Sequence, residues 1–117
     1  NLGVAFRSVD GLEGNIRYQA IASGRIDVTD AYETDAMVKK MDLVELKDDI
    51  GFFPPYQAIS IASNDILAEH PELKPLMAKL EGAISGEDMM GMNYQVDVEG
   101  RAPRDVAIAF LQSKGLA

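Results

Sequence analysis

Gly24-Arg25-Ile26-Asp27-Val28-Thr29-Asp30-Ala31-Tyr32-Glu33-Thr34-Asp35 is the stretch that decides how this chain is read. Gly24 is a good stop for a preceding helix, because glycine enters the left-handed conformation of the C′ position without steric cost. Ile26, Val28 and Asp30 then fall on one face of an extended segment, with the two-residue period of a strand. The segment ends on Tyr32. Thr34 follows as a candidate cap for a short helix over about 35–41. A helix stop, a strand and a helix start in quick succession mark a βαβ unit and a parallel or mixed sheet.

The flanks repeat the alternation. Leu2 to Phe6 reads as a buried strand. Asn15 is placed to cap a helix that carries Ile16, Ala20 and Ile21 on one face. Leu43 to Leu46 reads as a third strand. Asp48 to Pro55 is a break, since Asp48, Asp49 and Gly51 favour turns and Pro54-Pro55 cannot lie in a central strand. Tyr56 to Ala62 reads as a fourth strand. Beyond it the chain becomes helical. Asn64 caps a helix over about 65–69. Leu73, Leu76, Met77 and Leu80 have helical spacing, with Pro75 in or near the first turn. Ser85 and Asp88 form a capping-box pattern that opens a helix through Met89, Met90, Met92 and Asn93. Pro103 starts the last helix, and Gly115 ends it.

Composition bounds the function. The chain has 117 residues, the size of one domain, with 47% hydrophobic and 26% charged residues, so it is globular. Its formal net charge is −8 and its pI about 4.5, which excludes the clustered cations that bind nucleic-acid backbones. There is no cysteine and one histidine, so disulfides, a thiolate metal site and a Cys–His pair are excluded. Asp27, Asp30 and Asp35 lack the spacing and the closing Glu of an EF-hand. Gly11-Leu12-Glu13-Gly14 lacks the Lys-Ser/Thr end of a phosphate loop. No metal, no cofactor and no enzymatic constellation is expected. No apolar run reaches the roughly 20 residues of a membrane span. The chain starts at Asn1 without Met, directly in a strand pattern, so it is expected to be cut from a longer polypeptide.

Tyr18-Gln19-Ala20-Ile21, Gly24-Arg25-Ile26-Asp27-Val28, Asp30-Ala31-Tyr32-Glu33-Thr34-Asp35, Phe52-Phe53-Pro54-Pro55-Tyr56 and Met92-Asn93-Tyr94-Gln95-Val96-Asp97-Val98-Glu99-Gly100 follow in this order. Together with the final helix, they resemble the substrate-binding proteins of osmoprotectant ABC transporters, the family for glycine betaine, carnitine, choline and proline betaine. The resemblance covers nearly the whole chain. It implies the carboxyl-terminal half of a two-lobed, periplasmic-binding-protein-like (type II) α/β fold, a mixed sheet with flanking helices. Residues 1–48 would belong to the second lobe, and residues 49–117 to the crossover and the return into the first. It also implies an extracytoplasmic location, anchored or fused upstream, and an ABC permease as partner.

The family cages the trimethylammonium group with several tyrosines, and two of those positions match Tyr32 and Tyr56. A quaternary ammonium has no N–H to donate, so charge and shape must recognise it, and ring faces supply both at about 0.5–2 kcal/mol each. Two rings of about four would supply half the binding free energy, so a micromolar site would fall to about millimolar in this segment alone. Thr34 is a further contact candidate, although helix capping explains it better.

Simpler roles suit the remaining candidates. Tyr18 and Tyr94 pack on helices, Phe52 and Phe53 brace the Tyr56 turn as core residues, and the three clustered methionines pack a helix core. Asp30 is solvated or turn-forming, and His70 is exposed. The other functional reading is a non-ligand-binding α/β fragment. It would leave apolar surface bare and self-associate as a homodimer or a strand-exchanged dimer.

Overall fold

The computed structural model describes residues 5–117. These divide into two compact units, one ending at Ala31 and one running from Tyr32 to Ala117.

The first unit contains α1 (Ile16–Ala22). Its N-cap is Asn15, as the sequence suggests, although the Asn15 side chain makes no capping bond. Its end is a full Schellman motif: Gly24 has φ of 69°, its N–H donates to Ile21 O, and Arg25 N–H donates to Ala20 O. Tyr18 and Ala20 are buried. Arg17 pairs with Asp30 at 3.1 Å, thirteen residues away, and the Asp30 side chain stays solvated, as expected.

The second unit is built around α5 (Gly86–Asp97), which packs on α2 (Ala36–Lys40) and on α6 (Pro103–Ser113). Local chemistry explains each end. The Ser85 hydroxyl accepts the Asp88 N–H at 3.0 Å while the Asp88 carboxylate accepts the Ser85 N–H at 3.1 Å, so the expected capping box opens α5. Pro103 occupies the first turn of α6, where its missing N–H costs nothing. Gly115 closes α6 with φ of 69°. Met89, Met92 and Val96 of α5 face Val106 and Phe110 of α6 across an apolar groove of about 330 Å³. Two of the three clustered methionines therefore serve packing.

Two short helices lie between α2 and α5: α3 (Asn64–Glu69) and α4 (Leu73–Ala78). The cap of α3 is Ser63, whose hydroxyl accepts the Ile66 N–H at 3.2 Å, and not Asn64. The cap position of α2 is likewise Asp35 in place of Thr34. In both cases the helix takes its first turn one residue away from the expected place, which end-fraying makes cheap.

The strands are the main correction. Among the described residues no strand forms, so the mixed sheet expected from the alternation is not confirmed. The segments 26–32, 43–46 and 56–62 have no ladder partner, and the expected strand from Leu2 to Phe6 lies mostly outside the described residues. A helix closes its hydrogen bonds locally, whereas a strand needs a neighbour to complete them. The apolar positions of the alternation are bare: Val44 is 86% exposed and Ile61 87%.

Candidate functional site

Tyr32 and Tyr56 meet within the second unit. Their ring centroids are 5.4 Å apart with 27° between the planes, a stacked pair. Tyr32 is 52% exposed and Tyr56 85%, so the stack presents open ring face to solvent. Twenty-four residues of chain separate two rings that the sequence could only place at the ends of separate segments.

Each ring is delivered by a braced loop. At Tyr32 the backbone folds into a turn: Tyr32 N–H donates to the Asp35 carboxylate at 3.3 Å, and Asp35 N–H donates back to Tyr32 O at 2.9 Å. This use of Asp35 follows from its short side chain, which reaches its own backbone three residues away. Thr34 is half-buried, and its backbone carbonyl accepts the Asn93 side-chain amide of α5 at 2.9 Å. The Glu33 carboxylate lies against Gly86 at the amino end of α5, so close that a β-carbon there would stand 2.8 Å from Glu33 Oε1.

At Tyr56 the brace is Asp48. Its two carboxylate oxygens accept the N–H groups of Phe52 and Phe53, each at 2.9 Å. These bonds, that to Phe53 first, hold the Asp48 carboxyl below its ordinary value. Pro54-Pro55 then carries the chain stiffly from this turn to the ring. Phe52 and Phe53 are not core residues: they are 67% and 73% exposed and meet edge to face at 5.1 Å. The loop is shaped by the aspartate and not by burial of its phenylalanines.

The other tyrosines are engaged elsewhere. Tyr18 is 3% exposed, and Tyr94 lies under the Lys39 ammonium at 5.4 Å. That contact shows a tyrosine face of this chain already holding a cation at cation–π range. His70 bonds Glu72 at 3.1 Å on the surface. Among the described residues no group of three acidic or histidine side chains could hold a metal ion, and no helix is long and apolar enough to cross a membrane.

Asn93 and Asp48 are the residues that reading along the chain did not single out for the site. Asp48 was visible as a turn former. For Asn93 there was no local signal, since its partner lies 59 residues away.

Comparison with known proteins gives the same direction throughout. Residues 3–113 match the family model for the substrate binding domain of ABC-type glycine betaine transport system. An ergothioneine transport permease/ergothioneine binding protein of Helicobacter pylori is 41% identical over 95% of this chain and 20% of its own length. The carnitine transport binding protein of Listeria monocytogenes is 39% identical over 93% of this chain and 35% of its own. A solved structure of a glycine betaine/carnitine/choline ABC transporter superposes with a TM-score of 0.82 at 39% identity, covering 97% of this chain and 42% of the solved one. The chain thus spans about a third or less of the curated relatives it matches, and its fold is that of a piece of a periplasmic-binding-protein-like domain. The chain belongs to the family of substrate-binding domains of ABC-type glycine betaine transport systems.

Proposed function

We propose that this chain supplies part of an aromatic cage for a quaternary ammonium osmoprotectant such as glycine betaine, choline or carnitine, in the solute-binding component of an ABC importer. The observation that carries the reading is the exposed Tyr32–Tyr56 stack. The ligands named for the relatives, ergothioneine, carnitine and glycine betaine, share a trimethylammonium group and a carboxylate. A ring face is the surface that suits the first of these, because it attracts positive charge and offers no donor that must be left unpaired.

The stack also sets a condition. A cation touching both faces as a sandwich needs the centroids about 9–10 Å apart, since each face holds it at roughly 4.5–5 Å, inside the 6 Å limit of the interaction. At 5.4 Å the rings have no room between them. Binding therefore parts the rings, or seats the ammonium on the outer face of Tyr56 while further rings of the domain close over it. Thr34, next to the Tyr32 turn, is the remaining contact candidate.

In the whole domain, segments 26–32, 43–46 and 56–62 become strands of a mixed sheet. Residues 1–48 then belong to one lobe, and 49–117 cross back to the other. Their alternation and their bare apolar rows, Val44 with Leu46 and Ile59 with Ile61, support this. Lobe closure around the ligand on the outer side of the membrane, followed by docking on the permease, completes the cycle. Titrating choline, glycine betaine and carnitine into the full-length protein tests the reading. Binding is read by calorimetry, which does not depend on the aromatic content of the rest of the protein. Saturable binding of at least one of the three is expected. No binding of any of them refutes the proposal.

A further inference from the structure

We infer that Asn93 is a positioning residue for the Tyr32 ring: it acts on the ligand only by fixing the loop that carries Tyr32. The inference rests on the cage reading above and extends it to a residue two helical turns inside α5.

The Tyr32 loop has little to hold it from within. Its turn is closed by the Tyr32–Asp35 pair of bonds, and Asp35 then starts a helix of five residues, too short to be stable by itself. The loop is held from outside by α5. Asn93 donates its side-chain amide to the Thr34 carbonyl at 2.9 Å, a half-buried bond and a long-range tie two residues from the ring. Gly86 lies seven residues earlier, on the same face of α5 and about 10 Å along its axis. It leaves room for the Glu33 carboxylate at the positive end of that helix. Glu33 and Thr34, the two residues next to Tyr32, are thus both set against one helix face. Ala36, buried at 3%, follows them into the α2–α5 contact.

An amide is needed at position 93 because the group it meets is an acceptor. Replacing Asn93 with Leu keeps the branched shape and removes the donor, which takes this bond from the Thr34 carbonyl. The Tyr32 turn is then free to sample positions in which its ring cannot reach the ligand. Affinity falls by the fraction of time so spent.

The test is a double-mutant cycle in the full-length protein, with choline and glycine betaine binding measured by calorimetry. N93L is expected to weaken binding about fivefold, the equivalent of one net hydrogen bond. N93Q, which keeps the amide donor, is expected to recover most of that loss. In a Y32A background the same N93L change is expected to do nothing more, because the ring it positions is gone. N93S, whose hydroxyl is too short to reach, repeats the cycle if N93L does not fold. Wild-type affinity in N93L, or an equal loss with and without the Tyr32 ring, overturns the positioning role while leaving the cage intact. Wild-type affinity in Y32A itself overturns the cage, and this inference with it.

Discussion

Replacing Tyr56 separates what its ring does electrostatically from what it does as apolar surface. The ring is 85% exposed, so in the ligand-free protein it contributes little burial. Its ring partner is Tyr32, at 5.4 Å, and a stacked aromatic pair is worth about 0.5–1.5 kcal/mol, toward the lower end when exposed. Against a desolvated quaternary ammonium, a tyrosine face is worth about 2 kcal/mol. The ligand must give up part of the stack to gain that contact, so the net loss in Tyr56→Leu is about 1–1.5 kcal/mol, or roughly tenfold in dissociation constant. Tyr56→Phe keeps the face and is expected to bind within about twofold of wild type. Isothermal calorimetry with choline, glycine betaine and carnitine on the full-length protein supplies the numbers. A Tyr56→Leu protein that binds all three as tightly as wild type refutes the reasoning, because leucine retains the apolar contact and lacks only the quadrupole.

Two predictions concern stability. The Asp88 carboxyl lies below its ordinary value of 3.8 because the folded chain gives it the Ser85 N–H, then the Ser85 hydroxyl and the Lys114 ammonium. Its contribution is therefore complete above pH 3.8 and is lost as the pH falls through the lower native value, so melting temperatures of wild type and Asp88→Asn should differ at neutral pH and converge in acid. A gap that persists unchanged in acid would show that the cap does not depend on the charge. Gly24→Ala forces a β-carbon into φ of 69° at the end of α1 and is expected to destabilise by about 1 kcal/mol in chemical denaturation. An unchanged midpoint would place the end of α1 in a different conformation.

The helices were largely legible because their signals are local. Ser85 with Asp88, Pro103, Gly24 and Gly115 each act within one turn: α5 and α6 start, and α1 and α6 stop, where those residues stand, and Asn15 holds the cap position of α1 without a side-chain bond. The misplacements at Thr34 and Asn64 are single-residue shifts among neighbouring polar residues, any of which can serve as a cap. The strand patterns at 43–46 and 56–62 are as regular as the helical ones, yet no ladder forms among the described residues. Alternation states which side chains want a sheet face. It does not supply the neighbouring backbone that makes a sheet.

The candidate site divides in the same way. The sequence by itself determined that Tyr32 and Tyr56 each end an extended or turn-forming segment, that the chain holds no thiol and no EF-hand or phosphate-loop pattern, and that it carries the motifs of an osmoprotectant-binding family. Those are properties of residue types and short spacings. Only the tertiary structure decided that the two rings stack, that Asp48 shapes the approach to one, and that Asn93 ties down the loop of the other. The physical reason is range. A cap or a turn is set by bonds within about four residues, whereas the Asn93–Thr34 bond spans 59 and exists only because α5 packs on α2.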